Sequence, residues 1–420
     1  MNFKSLCTSL GLLSLVANTA AIHAQGQKPA ARYTVTDIGT LGGSNSFAYS
    51  NNNSGIVTGG ANTTGQNDFI AQTAFVWYGG KPIPVGPPGL NSEGSATSAD
   101  GTVALLTETP TLDPNGEDFC EFGNHRQCVA AVWRNGALTV LPKLPGGNNS
   151  VAFFTNSRGE VVGTSETGAT VAEGHECATP FQVRLFEAVK WSPGGVPTRL
   201  APLPNDEVSF AFTNNDVGQA VGISGLCSNV LLPPFVPGGP SAPHAVLWDA
   251  GGLPHDLGMP HGGAGNNVAV GINNLGQVTI NSVMLDGTIH AFQWNAGLLR
   301  DLTTFLPNAV QTVAPCCNNI NNRGQIVGFT VDSSFNQTLL IWESADKPPL
   351  DINMLLPADS PWYLLFPAGI NEAGEIAATA LNVNTLELHA VVASPISGIG
   401  PAARGATKPP AQPLQKRSHR

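Results

Sequence analysis

The sequence predicts an all-β fold, a seven-bladed β-propeller whose ring is closed by the N-terminal strand completing the last blade. Three observations predict it. A pattern recurs seven times, the composition is rich in turn residues, and an additional fourth strand precedes the first repeat while the last repeat lacks one. Of 420 residues, 48 are Gly and 33 are Pro, and only 11% are charged. This composition favours many turns and few amphipathic helices.

The repeated pattern reads roughly small-x-x-I-N-N-x-G-Q-V-V-G, then A-x-x-W, a glycine turn and D-L-G. Copies lie 46 to 59 residues apart, a spacing typical of propellers and related arrays. Asn and Gly tolerate positive φ, so N-N-x-G predicts a tight turn between the first and second strands. The turn glycines are Gly55, Gly101, Gly159, Gly218, Gly276, Gly324 and Gly374.

The other repeat positions predict the remaining strands. A β-branched run such as Val161-Val162 indicates the second strand, and A-x-x-W ends the third. Six of the seven tryptophans occupy this one position. A ligand cage is one interpretation, and a packing wedge between blades is favoured because large aromatic side chains dominate core burial. Structural roles are also predicted for the repeat-position residues His244, His290, His389, Asp37, Asp256, Asp301 and Asp351.

The count of fourth strands predicts how the ring closes. One such strand, Tyr33 to Ile38, precedes the first repeat, whereas the seventh repeat ends at His389–Val392 without one. We therefore expect the N-terminal strand to complete the last blade of a propeller that spans residues 25–395. Closure would protect the sheet edges that otherwise invite aggregation.

The repeat units resemble the HAF repeat of bacterial extracellular proteins. The resemblance rests on Asp37–Gly43, on Ile272–Gly276 and on His290–Trp294, which contains the full His-Ala-Phe triplet. It covers about residues 33 to 393 and recurs seven times. The resemblance implies export and a propeller-like repeat, and it brings no catalytic residues that could be carried over.

The two ends of the chain differ from the body. Residues 1–24 read as a signal peptide, with Lys4 before a short apolar stretch, which predicts a secreted or periplasmic protein. Residues 396–420 form a Pro/Ala/basic tail that we expect to be disordered. Without Lys4 and the five basic tail residues, 13 basic residues face 29 acidic ones. We expect a monomer with an extracellular protein or glycan as partner, and neither nucleic acid nor membrane insertion.

Three consecutive copies carry long loops between their second and third strands. The loops run from about Leu105 to Val129, from Thr164 to Glu187 and from Ile223 to Pro243, and they should form one lobe on one rim. They hold four cysteines, and an exported chain favours the disulfides Cys120–Cys128 and Cys177–Cys227.

Several residues in these loops and elsewhere have side chains that could bind a metal ion or take part in redox chemistry. A zinc site with His125 and His175 is the alternative to the disulfides, although the spacings match no common zinc pattern. No cofactor is expected, although Asp113–Asp118 places oxygen ligands at alternate positions, as calcium loops do. The adjacent pair Cys316-Cys317 could serve a redox or metal role, and a buried small residue is favoured for Cys317.

The function suggested first is a non-enzymatic binding scaffold that recognises a protein or surface glycan through the looped rim. Two alternatives stay open: a propeller hydrolase or lyase acting on extracellular polysaccharide, and a structural envelope protein without a ligand site. The sequence contains no G-x-S-x-G, H-E-x-x-H or phosphate-binding loop. Carboxylates or histidines with shifted pKa values at the channel mouth would favour the enzyme. A mouth of Ala, Asn and Gly would count against it.

Overall fold

A computed structural model of the chain describes residues 31–65, 71–172, 176–178, 182–230 and 244–396. The predicted signal peptide and all of the predicted tail except Ile396 lie outside these residues. The described residues form 28 β-strands and three short 3-10 helices, Cys227–Asn229, Leu302–Phe305 and Asn353–Leu355. The all-β prediction is confirmed. In the described part of the chain no helix has the length and apolar character needed to cross a membrane.

The first half of the chain forms four antiparallel sheets of four strands, each in chain order. The N-terminal strand β1 (Tyr33–Asp37) is separate from them. The first two sheets consist of β2 (Gly42–Asn51), β3 (Val57–Thr63), β4 (Thr73–Trp77) and β5 (Ile83–Pro84), and of β6 (Ser92–Thr97), β7 (Val103–Leu112), β8 (Arg126–Arg134) and β9 (Ala137–Val140). The next two consist of β10 (Ser150–Thr155), β11 (Val161–Thr170), β12 (Arg184–Trp191) and β13 (Pro197–Leu200), and of β14 (Val208–Asn214), β15 (Ala220–Gly225), β16 (His244–Trp248) and β17 (Pro254–Asp256).

The second half forms an eight-stranded sheet and a last four-stranded sheet. The larger sheet joins two four-stranded groups through one parallel pair, Ile289 with Gln311. Its strands are β18 (Gly263–Ile272), β19 (Val278–Met284), β20 (Ile289–Asn295), β21 (Leu298–Asp301), β22 (Ala309–Val313), β23 (Ile326–Asp332), β24 (Gln337–Trp342) and β25 (Leu350–Asp351). The last sheet contains β26 (Trp362–Ile370), β27 (Ile376–Asn382) and β28 (Leu388–Pro395).

The last sheet takes its fourth strand from the other end of the chain. Its order is β1-β28-β27-β26, with Tyr33 opposite Pro395 and Asp37 opposite Val391. The N-terminal strand therefore lies where the sequence places it, beside the final strand of the seventh repeat. Tyr33 is buried in a cluster with residues of β27 and β28.

Apolar side chains fill the spaces between neighbouring sheets. One cluster joins Ala130 of β8 to Val161 and Trp191 of the next sheet, and another joins Ala188 of that sheet to Trp248. Trp191, Trp248 and Trp342 are completely buried. Their indole N–H groups donate to carbonyl oxygens of the preceding segment, at 2.8, 2.8 and 3.3 Å. These three tryptophans are packing wedges, as predicted, and Trp77, Trp133 and Trp294 are half-buried.

Because neighbouring strands are antiparallel, successive connections lie at alternate ends of each sheet. In an antiparallel sheet of four strands, the turns after the first and third strands lie at one end. The loop after the second strand and the crossover to the next sheet lie at the other. The Asn-Asn-x-Gly turns and the long cysteine-bearing loops therefore lie at opposite ends of the sheets.

Candidate functional site

The described parts of the three long loops contact one another, because Glu117 of the first accepts from Val183 of the second and Cys177 of the second bonds to Cys227 of the third. Much of the first two loops is regular strand. β7 and β8 extend into the first loop, and β11 and β12 extend into the second. Residues 231–243 of the third loop lie outside the described part of the chain. Cys120–Cys128 and Cys177–Cys227 are disulfides, and the second ties the loops of neighbouring sheets together.

A network of buried carboxylates holds the first two loops together. Glu117 and Glu166 are completely buried, and Asp113 is 6% exposed. The side-chain amide of Asn149 donates to Asp113 Oδ2 at 2.9 Å and to Glu166 Oε1 at 3.1 Å. The side-chain amide of Gln182 donates to Glu166 Oε1 at 3.0 Å. The repeat pattern does not indicate this network, because its members come from four separate segments.

The same network explains the acidic run that resembles a calcium loop. Asp113 Oδ1 accepts the backbone N–H groups of Asn115 and Glu117, at 2.8 and 3.1 Å. Glu117 Oε1 accepts those of Val183 and Arg184, at 2.7 and 2.9 Å. These carboxylate oxygens already receive amide protons. Within the described ranges, no group of three or more His, Cys, Asp or Glu could hold a metal ion.

The four loop cysteines form disulfides and so cannot serve as zinc ligands, which excludes the alternative of a zinc site. His125 Nδ1 lies 2.7 Å from the carbonyl oxygen of Gly116, and His175 lies outside the described residues. Cys316 and Cys317 are also paired as a disulfide, and Cys317 is 8% exposed. The buried position expected for Cys317 is therefore correct, but its sulfur is bonded to that of its neighbour.

Burial and the adjacent charge of Glu166 raise the pKa of Glu117 to about 7. Between pH 4.5 and 7 the folded chain keeps a proton on Glu117 that the unfolded chain has lost. Raising the pH through this window therefore favours unfolding.

We expect the free energy of unfolding to fall by a few kcal/mol as the pH rises from about 4.5 to 7. Glu117→Gln should flatten this slope, because the amide cannot ionise and still offers an oxygen to Val183 and Arg184. Urea unfolding at a series of pH values measures the slope, with Glu387→Gln on the surface as the control. An unchanged slope in Glu117→Gln would contradict the assignment.

A second candidate site lies at the opposite end of the sheets, where the Asn-Asn-x-Gly turns meet. These turns surround a cavity of about 110 Å³, which we call the turn cavity. This volume accommodates several water molecules. Phe154, Ile272, Ile320 and Ile370 contribute apolar walls. The lining residues come from seven segments, 51–53, 97–99, 154–157, 214–216, 272–274, 318–322 and 370–372.

The first asparagine of each turn binds the next turn, forming what we call the amide chain. Each side-chain amide donates to the backbone carbonyl of the equivalent residue in the following repeat, at 2.8 to 3.1 Å. Each side-chain oxygen accepts backbone N–H groups of its own turn, as at Asn273. The nitrogen and the oxygen of each side chain therefore both take part in hydrogen bonds that hold the turns together. The chain runs through Asn156, Asn215, Asn273, Asn321, Asn371 and Asn52 to Ser98.

The second residue of each turn forms a parallel series that brings two carboxylates to the cavity. The backbone N–H of each residue donates to the side-chain oxygen of the next, at 2.7 to 2.9 Å. Asp216 and Glu372 belong to this series and line the cavity. The order is Ser157, Asp216, Asn274, Asn322, Glu372 and Asn53, whereas the second repeat has Ala99, which has no side-chain oxygen.

The two carboxylates differ in their surroundings. Burial alone would raise the pKa of Asp216, but hydrogen bonds from Ser157 and Asn274 and the charge of Arg158 outweigh it and lower that pKa. Ser157 Oγ donates to Oδ1 at 2.6 Å, and Asn274 Nδ2 donates to Oδ2 at 2.9 Å. Glu372 accepts one bond at Oε1, from the backbone N–H of Asn322 at 2.8 Å. Asp216 is therefore ionised at neutral pH.

The sequence did not predict this site. Turn geometry explains one Asn and the Gly of each Asn-Asn-x-Gly turn. The recurring second asparagine needs another explanation, and it is the sequence feature that could have indicated contacts between the turns.

The repeat-position histidines lie at the other end of the sheets and pair with the repeat-position aspartates, as a structural role predicts. The pairs are His244–Asp256 at 3.2 Å, His290–Asp301 at 2.8 Å and His389–Asp37 at 3.0 Å.

No family model matches the chain. Among solved structures, it is similar to a prolyl endopeptidase at 11% identity and a TM-score of 0.50, with 94% of this chain and 56% of that chain covered. It also matches a puromycin hydrolase at 12% identity and a TM-score of 0.48, with 89% and 55% covered. The β-propeller domain of the Trilobed protease from Pyrococcus furiosus matches at 9% identity and a TM-score of 0.49, with 84% and 96% covered.

The chain spans little more than half the length of the prolyl endopeptidase and the puromycin hydrolase. The expectation of a non-enzymatic binding scaffold is contradicted, because the solved structures that the chain resembles come from enzymes. At such low identity the likeness to the prolyl endopeptidase establishes the fold alone. The chain has an all-β, β-propeller fold.

Proposed function

We propose that the protein is a polysaccharide-cleaving enzyme, a hydrolase or lyase, whose active site is the turn cavity. The observation that carries the proposal is the pair of carboxylates, Asp216 and Glu372, in a cavity otherwise walled by amide, hydroxyl and apolar side chains. The asparagines alone would argue against an enzyme. Asp216 and Glu372 differ from them because a carboxylate can exchange a proton, although Ser157 and Asn274 bind both oxygens of Asp216.

We propose that the sheets form seven blades in a closed ring, with β1 completing the last blade. Support comes from the seven segments around one cavity and from the pairing of β1 with β28. Further support comes from the amide chain, which passes from Asn371 of the last repeat to Asn52 of the first. In such a ring Asp216 belongs to the fourth blade and Glu372 to the seventh. The two carboxylates would then face each other across the cavity.

Opposed carboxylates match the requirements of glycoside hydrolysis. We assign Glu372 as the acid, which gives its proton to the departing glycosidic oxygen as the bond to the anomeric carbon breaks. Asp216 acts as the base and takes a proton from a water molecule, whose oxygen forms the new bond to that carbon. The lowered pKa of Asp216 suits the base, which must be ionised beforehand.

The position of the cavity favours action at the end of a polysaccharide. Turns from seven segments surround it, and its apolar residues suit the less polar faces of a sugar ring. Hydrolysis at this site would release single sugars from a chain end.

A panel of neutral, amino and acidic polysaccharides tests the proposal. We expect the full chain to release monosaccharide from at least one of them, detected as new reducing ends. The double variant Asp216→Asn/Glu372→Gln should release none. A lyase would instead produce unsaturated sugars. Absence of cleavage across the panel, or equal cleavage by the double variant, would overturn the proposal.

We further propose that the protein is exported and belongs with the HAF-repeat proteins. Structural disulfides persist mainly in oxidising compartments, and the loop lobe contains two. The repeated Asn-Asn-x-Gly turns and the His-Asp pairs give the repeat residues a physical role that any protein with the same repeat would share.

A further inference from the structure

The hydrogen bonds between neighbouring turns are unequal around the turn cavity. At five junctions between successive copies, one bond of the amide chain and one bond between the second residues both join the turns. Between the turns of the first and second copies one bond is present, from the side-chain amide of Asn52 to Ser98. Within the described residues, no hydrogen bond joins turn 98–101 of the second copy to turn 156–159 of the third. We call this unbonded junction the seam.

The residues of the second and third copies explain the missing bonds. Ser98 stands where the other six copies have Asn, so this copy has no side-chain amide to donate to the third. Ala99 has no oxygen that could accept the backbone N–H of Asn53. Ser157 is shorter than Asn or Asp, and its hydroxyl group does not accept the backbone N–H of Ala99. The seam is therefore a consequence of side-chain identity at these positions.

The missing bonds leave two backbone donors open to a ligand. In the described part of the chain, the N–H groups of Asn53 and Ala99 donate to no protein acceptor. Both residues are exposed, and both line the turn cavity. Asn53 Oδ1 accepts the backbone N–H of Glu372 at 2.9 Å, which holds the first turn while its own N–H stays open. A ligand oxygen can therefore occupy the place that a side-chain oxygen takes at the other junctions.

The charges near the seam favour a neutral ligand group. Asp100 pairs with Arg134, and Arg158 pairs with Glu160 at 2.9 Å and also acts on Asp216. An ammonium group would meet the positive ends of two N–H dipoles, and an anionic group would approach the two carboxylates of the cavity. A hydroxyl oxygen accepts from an N–H group without adding a charge.

We propose that the seam binds the neutral sugar unit next to the terminal one, through hydroxyl groups that accept the N–H groups of Asn53 and Ala99. The inference rests on the proposed active site and identifies where the rest of the substrate lies. The terminal unit meets Asp216 and Glu372, and the polysaccharide leaves the turn cavity over the turn of the second copy. This turn suits the role, because it can shift without breaking a bond to the third copy.

Restoring the missing side chains tests the inference. Ser98→Asn/Ala99→Asn copies the fifth and sixth copies, and the new amide and oxygen should join the second turn to both neighbours. We expect this double variant to unfold a few degrees higher. It should bind neutral oligosaccharides about tenfold or more weakly, because it occupies both the donor and the space that the ligand needs. Titration calorimetry with oligosaccharides of glucose, mannose, xylose and galactose measures this binding without requiring turnover.

Ser54→Asn is the matched control, because Ser54 is an exposed turn residue that does not line the cavity. It adds an amide to the same end of the sheets and should change neither the unfolding temperature nor binding. Hydrogen exchange examines the seam directly. We expect turn 98–101 to exchange about tenfold faster than turn 273–276, and the double variant to remove this difference.

Equal exchange in the two turns, or undiminished binding in the double variant, would overturn the inference. Absence of binding to any neutral oligosaccharide, or tighter binding of glucosamine or uronic acid oligosaccharides, would overturn it as well. Binding that the double variant loses, without cleavage by the unaltered chain, would refute the proposed enzyme and leave the seam standing. Cleavage at an equal rate by the double variant would refute the seam alone.

Discussion

Asp216→Asn is expected to lower kcat for polysaccharide cleavage by roughly 10²–10⁴-fold, the usual contribution of a positioned acid or base. Asparagine already occupies the equivalent position in the next two repeats, at Asn274 and Asn322, so the substitution suits the turn. Its side-chain oxygen still accepts the N–H of Ser157. The change therefore removes the charge and the proton acceptor, and the hydrogen bond from Asn274 Nδ2 is lost with them. The rate on the substrate found in the panel measures the effect.

The pH profile separates this role from a structural one. The acidic limb of kcat against pH reports the ionisation of the base, and it should disappear from the residual activity of Asp216→Asn. Glu372→Gln should lower kcat as well, because its amide replaces the carboxyl group that would face the departing oxygen. Thermal unfolding checks that both variants remain folded. An intact acidic limb in the residual activity of Asp216→Asn would show that another group performs the proton transfer.

Gly222→Ala is expected to destabilise the fold by about 3 kcal/mol or more, at or above the upper range for overpacked cores. A Cβ atom at Gly222 would overlap the carbonyl oxygen of Phe210 on the adjacent strand β14. That strand cannot withdraw easily, because Ser209 next to Phe210 accepts from Ala188 N–H at 2.9 Å. The same close approach occurs at Gly59 and Gly163, which are the equivalent glycines of other repeats.

Urea and thermal unfolding of Gly222→Ala measure this loss. Gly194→Ala is the matched control, because its added methyl group would lie 3.7 Å from the nearest atom, Ser192 Oγ, an ordinary contact. We expect the control to change stability by less than about 0.5 kcal/mol. If Gly222→Ala unfolds at the same urea concentration as the control, the close approach of β14 and β15 does not constrain this position.

The repeat pattern was sufficient to predict the all-β propeller fold because each copy encodes its own strands and turns. The glycine of N-N-x-G, the A-x-x-W tryptophans and the position of Tyr33 all act locally or along one sheet. The disulfides were predictable from the clustering of four cysteines in adjacent loops. Cys316 differs, because bonding of adjacent cysteines depends on local backbone geometry that the spacing does not specify.

The sites were harder to predict because they depend on contacts between repeats. Asn273 contacts Asn321 48 residues away, and each looks like an ordinary turn residue in its own copy. Asp216 and Glu372 are two acidic residues among 29, and their common cavity follows only from the arrangement of the turns. Glu117 and Glu166 meet for a similar reason. The function suggested first relied on loop length, whereas the proposed site lies at the opposite end of the sheets.

The amide chain has a consequence for how such a molecule can evolve. Each copy supplies one hydrogen-bond donor to its successor and one acceptor to its predecessor. A duplicated gene segment therefore encodes both the donor and the acceptor of this contact. Gain or loss of a whole copy preserves this complementarity without new mutations. Ser98 of the second copy is the exception, because it accepts from Asn52 but has no side-chain amide to donate onward. Selection can therefore diversify the second residue of each turn, where Asp216 and Glu372 arose, while the first maintains assembly.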